Sequence, residues 1–450
     1  MNIWKDTYPL IVSCARGLVP QTVGELERLG YRIVDTTEQT AVVRGAMRDM
    51  MTLNLQLRTA HRVLAPLLRT ECRNARQLYD DVKSIDWENL LEPDGYFTVN
   101  SVTRTDAIRD TRMAALTTKD AIADRMRQQC GGRPDSGREN YGAAVFVYWQ
   151  DTELILYLDT TGGEPLSKRG YRKIPGAAPM QETLAAGCVL ASGWDANSPF
   201  VAPMCGSGTP AIEAALLALN RAPGSFKSHF GFMALKGYRI TIPGERAGTS
   251  VRQRFGASPE QIWKDMVATA RGRERREGLP PILATDSDPE ALESARLNAI
   301  AAGVSEHITF ATCDFAATKL PPPPGVIFLN PPYGERLAAG TAAGEDAAEN
   351  AAGTKDAPAA DVPAEGEELE PLYGRIGDFF KRRAAGYTGC VLTGNLDLSR
   401  RIGLRSSRRI PFFNGPIECR MLVFNLFEGT LEEAENETRP EQEGSCTPSR

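Results

Sequence analysis

The sequence predicts an α/β protein in which a doubly wound, largely parallel sheet follows a smaller α+β region. Beyond residue 180, short apolar strands alternate with helical segments, as is typical of doubly wound sheets. Before residue 165, strands and helices follow one another without that regular alternation. A stretch rich in glycine and proline at 162–180 lies between the two parts and indicates a linker or hinge.

The composition excludes several classes of protein. With 42% hydrophobic and 24% charged residues, the chain has the composition of a soluble globular protein. No apolar run approaches the length of a membrane span, and the N-terminus lacks a basic-then-apolar signal, so we expect a cytoplasmic protein. The nine cysteines are scattered and only three histidines are present, so we expect neither a metal site nor a disulfide framework.

The formal net charge of −5 conceals a basic remainder. Residues 340–370 carry a net charge of −8 and residues 428–450 carry −5, which leaves +8 on the other residues. We expect 339–370 to be a disordered surface insertion and 428–450 a disordered tail, because both are acidic and 339–370 has almost no large apolar residue. A basic remainder is typical of nucleic-acid-binding proteins but also occurs in others.

The first 165 residues contain two groups of predicted elements. Residues 1–65 hold strands at 10–12 and 41–43 and helices at 19–29 and 48–57, whereas residues 66–165 hold strands at 96–102, 143–148 and 154–158 and a helix at 113–129. Basic residues around that helix and in the segment 168–173 indicate contact with RNA, and a solvated basic face is the alternative. The candidate RNA-binding residues are Arg104, Arg109, Lys119, Arg169 and Arg172.

The second part alternates strands and helices. Strands are predicted at 200–201, 282–285, 308–310, 326–329 and 389–393, with an antiparallel last strand at 421–427. Helices are predicted at 182–193, 211–220, 289–302 and 376–384.

The strand at 326–329 ends abruptly at Asn330-Pro331-Pro332-Tyr333. Two prolines cannot continue a strand, and ligands of open α/β sheets bind beyond the carboxyl ends of the strands. The side-chain oxygen of Asn330 and the carbonyl of Pro331 can each accept an N–H from an exocyclic amine, while the ring of Tyr333 can stack on a base. The alternative is an ordinary turn at a strand end.

Three other strand ends carry candidate ligand contacts. The glycines within 204–209 allow the backbone to approach a ligand, although a single G-x-G pattern also occurs in ordinary turns. Asp286 suits a ribose diol and Asp314 an adenine amino group, whereas a loop aspartate needs no ligand. The candidate cofactor-binding residues are Met204, Cys205, Gly206, Gly208, Thr209, Asp286, Asp314 and Asn330.

A parallel sheet brings all four segments to one edge, which fits an adenosyl cofactor together with a flipped base. The predicted reaction is methyl transfer from S-adenosylmethionine to an exocyclic amine, without a metal or a covalent intermediate. Two acceptors can orient the lone pair of that amine, which is otherwise delocalised into the ring. The predicted catalytic residues are Asn330, Pro331, Pro332 and Tyr333.

The chain resembles the THUMP-domain RNA methyltransferases, in particular the N-terminal half of the bacterial large-subunit ribosomal RNA guanine-N2 methyltransferases. The segments that carry the resemblance are 14–18, 85–87, 118–122, 169–172, 182–186, 204–209 and 330–337. The resemblance implies a ferredoxin-like subdomain at 1–65, a THUMP RNA-binding domain at 66–165, and a Rossmann-like methyltransferase domain with a mostly parallel seven-stranded sheet at 166–427. It also implies the N2 amine of a guanine in large-subunit rRNA as the methyl acceptor.

The chain departs from this family at three places. Ala202 stands where the family usually has aspartate, Pro210 replaces an aliphatic residue, and the interval from Gly208 to Asp286 includes an extra loop near 240–255. Alternative functions are an RNA-binding ribosome-assembly factor with a weakened methyltransferase domain, a tRNA guanine-N2 methyltransferase, and a DNA adenine-N6 methyltransferase.

Overall fold

The computed structural model contains two large sheets, one of eight strands and one of seven. It describes residues 3–108, 110–137, 139, 141–174, 180–239, 257–334 and 366–427. Among these residues, no helix combines the length and the apolar character that crossing a bilayer would require.

The N-terminal sheet is mixed, with mostly antiparallel pairs of strands and two parallel pairs. Its elements are β1 (Tyr8–Cys14), α1 (Val19–Arg28), β2 (Ile33–Thr36), β3 (Thr40–Gly45), α2 (Met47–Gln56), β4 (Ala60–Glu71), α3 (Ala75–Lys83), β5 (Tyr96–Arg104), α4 (Arg112–Cys130), β6 (Asp135–Ser136), β7 (Ala143–Gln150) and β8 (Glu153–Asp159). The strand order is β2-β3-β1-β4-β8-β7-β5-β6. In β1 every second residue is buried, as expected for a strand with one face on a core.

Strand β4 joins the two predicted N-terminal subdomains within this sheet. Its first residues pair with β1, and the residues from Leu64 to Glu71 pair with β8. The register shifts between Pro66 and Leu68, where the proline has no N–H to donate. The division predicted at residue 65 therefore falls inside a continuous strand.

The second sheet has the predicted doubly wound form. Its elements are α5 (Glu182–Ala191), β9 (Phe200–Pro203), α6 (Thr209–Ala218), α7 (Pro259–Gly272), β10 (Ile282–Asp286), α8 (Pro289–Ala301), β11 (Thr309–Thr312), β12 (Gly325–Leu329), α9 (Gly366–Arg383), β13 (Tyr387–Thr393), α10 (Leu396–Ser399), β14 (Arg408–Asn414) and β15 (Ile417–Asn425). The order is β11-β10-β9-β12-β13-β15-β14. The first five strands are parallel and the last two join antiparallel, which confirms the predicted fold class.

The strand order places a topological switch point between β9 and β12. From β9 the chain proceeds outward to β10 and β11, and then crosses to the other side of β9 to form β12 and β13. Ligands of doubly wound sheets bind in the crevice at such a point, beyond the carboxyl ends of the strands. The segments that follow β9 and β12 are the glycine-rich segment and Asn330–Tyr333.

Two expectations about irregular segments need correction. Helix α9 begins at Gly366, so the last five residues of the insertion expected to be disordered are helical. The rest of that insertion, the loop at 240–255 and the tail at 428–450 lie outside the described residues. Within the predicted linker, Tyr171 is 1% exposed and Arg169 is 3% exposed, so this part of the chain is packed inside the protein.

The long interval between α6 and β10 contacts the N-terminal sheet. Phe230, Phe232 and Trp263 belong to the same buried cluster as the core of that sheet. The ring of Trp263 lies 5.1 Å from that of Phe230 and 5.2 Å from that of Phe232. The segment of the catalytic half between α6 and β10 therefore supplies part of the N-terminal core.

Candidate active site

The glycine-rich segment and Asp286 meet where β9 and β10 end. The N–H of Cys205 donates to the carbonyl of Thr285 at 3.0 Å, and the N–H of Gly206 donates to Asp286 Oδ2 at 2.8 Å. The register between β9 and β10 aligns Pro203 with Thr285. Two of the predicted cofactor-binding segments are thus held together by one backbone–backbone hydrogen bond and one backbone–side-chain hydrogen bond.

The two glycines have different surroundings. Gly208 has φ +81°, and a Cβ there would lie 2.8 Å from the Cβ of Ala295 on α8. Gly206 has φ +52°, and a Cβ there would meet nothing within 4 Å. Gly208 therefore permits close packing of α6 on α8, whereas Gly206 leaves open space beside Asp286.

The other predicted residues of this segment differ in exposure. Met204 adopts φ +58° and is partly buried. Thr209 is 2% exposed in the first turn of α6, so its side chain is part of the packing. Burial and the nearby charge of Asp286 raise the pKa of the Cys205 thiol, which therefore stays neutral and is a poor nucleophile.

Both oxygens of Asp286 already accept a backbone N–H. Besides the bond from Gly206, Asp286 Oδ1 accepts from the N–H of Asp288 at 3.1 Å. Each carboxylate oxygen has a second lone pair, and the side chain is only partly buried. Asp286 can therefore hold the glycine-rich segment and still accept a hydrogen bond from a hydroxyl group of a ligand.

Asp314 lies next to this site but is more fully engaged. Its segment joins β10 through the N–H of Cys313, which donates to the carbonyl of Asp286 at 2.9 Å. Asp314 Oδ1 accepts from the N–H of Ala316 at 2.9 Å, and Oδ2 lies 2.6 Å from a guanidinium nitrogen of Arg375. Burial opposes ionisation of Asp314, but these bonds outweigh it and hold the pKa of Asp314 below its ordinary value.

Asn330 carries an unused acceptor. The residue follows β12 directly and is partly buried. Its Oδ1 is buried and accepts no hydrogen bond from any described residue. An orphaned buried acceptor costs about 1–3 kcal/mol, so a ligand donor at this position would satisfy it. Pro331 is buried beside it, whereas Pro332 is exposed.

Tyr333 is packed inside the protein, and its ring does not stand free in the crevice. It is 8% exposed and belongs to the core cluster of the second sheet. Its hydroxyl accepts a hydrogen bond from Asn414 Nδ2 at 3.2 Å. A Cβ at Gly394 would lie 3.0 Å from the ring. The expected stacking of the whole ring face on a base therefore needs correction, since little of the ring is accessible.

Asn414 is a site residue that the sequence reading missed. It is 3% exposed at the end of β14, and it links the last hairpin to the Asn-Pro-Pro-Tyr segment. The sequence signal at this position is Asn414-Gly415, which indicates a turn and gives no sign of a partner 81 residues away.

Two of the predicted RNA-binding residues are wrong. Only 1% of the Arg169 side chain is exposed, and its Nη1 lies 3.0 Å from Glu213 Oε2. Its guanidinium also donates to the carbonyl of Arg58. Arg172 is largely buried and pairs with Glu182. Both arginines balance buried carboxylates of the catalytic half; Arg169 does not face solvent, and the Arg172 side chain is only 18% exposed.

The remaining RNA-binding candidates lie on the N-terminal half. Arg104 is exposed at the end of β5, and Lys119 is half-buried on α4. Arg109 lies outside the described residues. Two other cations of α4 are engaged within the protein, because Arg125 pairs with Glu88 at 2.5 Å and Arg127 pairs with Asp124 at 2.7 Å.

Profiles of three known families match successive parts of the chain. The RlmL ferredoxin-like domain matches residues 9–64 and the THUMP domain matches residues 72–159. The "RMKL-like, methyltransferase domain" matches residues 169–346.

Two relatives match nearly the whole chain. "Putative RNA methyltransferase slr0064" of Synechocystis is 30% identical over 421 residues, which cover 94% of this chain and 97% of that protein. "Ribosomal RNA large subunit methyltransferase K/L" of Methylococcus capsulatus is 32% identical over 428 residues, which cover 93% of this chain and 51% of that protein. The chain therefore spans about half the length of the K/L relative.

Solved structures share the fold along most of the chain. SMU.472 in complex with SAH superposes with a TM-score of 0.76 at 24% identity, covering 95% of this chain and 100% of that chain. A predicted N6-adenine-specific DNA methylase from Listeria monocytogenes superposes with a TM-score of 0.73 at 26% identity, covering 93% and 96%.

Proposed function

The chain belongs to the family of RNA methyltransferases that combine an RlmL ferredoxin-like domain, a THUMP domain and an RMKL-like methyltransferase domain, and from this premise we propose its reaction. It transfers a methyl group from S-adenosylmethionine to the N2 amine of a guanine in large-subunit ribosomal RNA, in the cytoplasm. The observation that carries this proposal is the buried Oδ1 of Asn330 at the switch point of the sheet, which accepts no hydrogen bond from any described residue.

The residues between β9 and β10 fit the proposed cofactor. Gly206 leaves open space, and Asp286 beside it is a partly exposed carboxylate with lone pairs to spare. The ribose hydroxyls of an adenosyl group suit such an acceptor. When bound, S-adenosylmethionine supplies an activated methyl group, so the protein has only to position the acceptor amine.

Asn330 performs that positioning. Its Oδ1 accepts one N–H of the guanine N2 amine, and the carbonyl of Pro331 accepts the other. These bonds draw the lone pair out of conjugation with the ring and aim it at the methyl carbon. A new N–C bond forms as the methyl–sulfur bond breaks, and the amine proton passes to solvent because a carboxamide is not a base.

The principal alternative is an assembly factor with a weakened methyltransferase domain, for which Ala202 is the argument. Ala202 is 1% exposed within β9 and aligns with Ala284 of β10. The alanine methyl group is packed in the sheet and does not line the solvent-accessible crevice. The presence of Asp286 and of the complete segment Asn330–Tyr333 favours an active enzyme over an assembly factor.

Nucleoside analysis tests the proposal. Large-subunit rRNA from cells lacking this gene is incubated with the protein and isotopically labelled S-adenosylmethionine, then digested and analysed by mass spectrometry. We expect label in N2-methylguanosine. Label in N6-methyl-2′-deoxyadenosine after a parallel incubation with DNA would favour a DNA methyltransferase, a function that the name of the Listeria structure brings into consideration. Cofactor binding by calorimetry without any methyl transfer would favour an assembly factor.

The cations of the N-terminal half should set RNA affinity and leave the chemistry unchanged. We expect replacement of Arg104 and Lys119 by alanine to flatten the slope of log affinity against log salt by about 1.4–1.8, because each lost phosphate contact removes about 0.7–0.9. Turnover at saturating RNA should change far less. Binding titrations at several salt concentrations measure the slope, and an unchanged slope would assign these cations to a solvated face.

A further inference from the structure

The loop between β1 and α1 contacts the last hairpin of the catalytic half. Gly17 in this loop has φ +84°, and a Cβ there would lie 3.0 Å from the carbonyl oxygen of Pro411 and 3.1 Å from the Cα of Phe412. Only glycine combines this left-handed conformation with so close an approach to β14. The backbone of the N-terminal half is therefore seated directly on the outer strand of the second sheet.

This contact places Arg16 on an aromatic ring of the catalytic half. The guanidinium carbon of Arg16 lies 4.4 Å from the centroid of the Phe413 ring. Its Nε lies 3.4 Å from Glu38 Oε2, and the two side chains are 54% and 79% exposed. An ion pair so exposed contributes at most about 1 kcal/mol. The stacked guanidinium therefore has a weakly held partner and stands in solvent.

Arg16 is connected to the proposed catalytic segment through the last hairpin. Asn414, the residue after Phe413, donates to the hydroxyl of Tyr333. Thr393 at the end of β13 pairs with Arg420, whereas the hairpin continues to the pair of Asn414 and Ile417. The tip of the hairpin thus extends past the carboxyl end of β13, toward the edge of the sheet where Asn330 lies.

We propose that Arg16 binds a phosphate of the substrate RNA next to the target nucleotide. This inference rests on the proposed function and adds to it a contact contributed by the N-terminal half at the rim of the active site. Stacking on Phe413 fixes the plane of the guanidinium and leaves its in-plane N–H groups to form paired hydrogen bonds with phosphate oxygens. Glu38 occupies this position in the absence of RNA and is displaced by the phosphate.

A purely structural role makes different predictions for the two partners. If Arg16 only fastens the two halves together, removing either Arg16 or Glu38 weakens the same contact. If Arg16 binds phosphate, Glu38 competes with the RNA, and its removal strengthens binding. The signs of the two effects are therefore opposite only for the phosphate-binding role.

The chain offers a matched control on another surface. Arg296 on α8 lies 5.2 Å from the centroid of the Phe310 ring and 3.5 Å from Glu293. This cluster also combines a guanidinium, an aromatic ring and a carboxylate, but it lies near β11, at the opposite end of the sheet from β14. Its replacement should leave RNA binding unchanged.

The experiment compares Arg16→Ala, Glu38→Gln and Arg296→Ala with wild type in RNA titrations and single-turnover methyl transfer. We expect Arg16→Ala to weaken RNA binding about tenfold and to reduce the salt slope by about 0.7–0.9. Glu38→Gln should strengthen binding about two- to threefold. Affinity for S-adenosylmethionine should match wild type in all three variants, and RNA affinity and the rate of methyl transfer should match wild type in Arg296→Ala.

Several outcomes would overturn the inference. If the wild-type protein methylates RNA and Arg16→Ala binds RNA with the same affinity as wild type, the inference is contradicted and the proposed function is not. Weaker RNA binding in both Arg16→Ala and Glu38→Gln would assign the pair to a structural contact. Wild-type protein that binds cofactor but no RNA would overturn the proposed function and this inference together.

Discussion

At the scale of single residues, the two main polar groups of the site differ in their hydrogen bonding within the protein. Both oxygens of Asp286 accept backbone N–H groups, whereas Oδ1 of Asn330 accepts no hydrogen bond from any described residue. Asp286 therefore holds the glycine-rich segment in place at the side of the crevice where we propose that the cofactor binds. The acceptor of Asn330 remains available for the substrate.

Substitutions of Asp286 should separate these two roles. We expect Asp286→Ala to weaken S-adenosylmethionine binding by about 1.5–3 kcal/mol, because a charged acceptor for the ribose is lost. Asp286→Asn should cost less, since its amide oxygen can still accept the N–H of Gly206. Calorimetry without RNA measures both affinities. Equal affinity in wild type and Asp286→Ala would place the cofactor elsewhere.

The sequence predicted that Asn330 and Asp286 lie at one edge of the sheet, but it could not predict which arginines are exposed and which are buried. Strand ends are local features, and a parallel sheet brings them together whatever their separation in sequence. The orientation of Arg169 depends instead on Glu213, which lies on α6, and on the carbonyl of Arg58 in the N-terminal half. A cluster of cations in a sequence does not reveal such distant partners.

At the scale of elements, the glycine-rich segment combines a packing position and a ligand position. Gly208 permits α6 to approach α8, whereas Gly206 faces open space. We expect Gly208→Ala to lower the free energy of unfolding by about 1–3 kcal/mol, through left-handed strain and contact with Ala295. Gly206→Ala should instead weaken cofactor binding with a smaller effect on stability.

Denaturant unfolding and cofactor titration of the two variants distinguish these effects. The pair serves as its own control, because both glycines have positive φ and lie in the same turn. Equal losses of stability in the two variants would contradict the assignment of Gly208 to helix packing.

Several elements could not be predicted because their patterns are ambiguous. The first half of β4 is mostly buried on both faces and its second half is mostly partly buried, so its residues do not follow a simple alternation. Helix α7 packs on the N-terminal core, although its sequence lies within the catalytic half. Tertiary contacts decide both cases, whereas α4 and β12 have clear periodicity or apolar character and were predicted nearly to their ends.

At the scale of the whole molecule, buried charges join the two halves. The guanidinium of Arg58 donates to the carbonyl of Arg221 at 2.8 Å, and Arg169 pairs with Glu213 while donating to the carbonyl of Arg58. Glu25 accepts from the N–H of Arg58 at 2.8 Å. This network fixes the N-terminal half against α6, so that RNA bound by one half meets a defined active site in the other.

Removing Arg169 should destabilise the protein in a pH-dependent way. We expect Arg169→Ala to cost about 3–5 kcal/mol near neutral pH, because it leaves buried Glu213 without its ion-pair partner and with the Tyr171 hydroxyl as its remaining donor. Burial raises the pKa of Glu213 and Arg169 opposes that rise, so the variant raises this pKa further. When a carboxyl group has a higher pKa in the folded state than in the unfolded state, the free energy of unfolding falls as pH increases above the unfolded-state pKa, which is about 4.3 for glutamate.

The stability difference between wild type and Arg169→Ala should therefore grow as pH rises from about 4.3. Denaturant unfolding at several pH values measures this difference. Arg127→Ala, which breaks an exposed pair with Asp124, provides the control and should cost about 0–1 kcal/mol. A loss in Arg169→Ala as small as that of the control would contradict the buried network.

The most direct test of the account is the single-turnover rate of Asn330→Ala at saturating RNA and S-adenosylmethionine, measured together with its cofactor affinity. We expect the single-turnover rate to be lower than that of wild type by a factor of about 10²–10³, because one positioned acceptor for the amine is lost. Cofactor affinity should stay within about twofold, since Gly206 and Asp286 are untouched. Methyl transfer at the wild-type rate in this variant would contradict the proposal that Oδ1 of Asn330, which accepts no hydrogen bond within the described part of the chain, orients the acceptor amine.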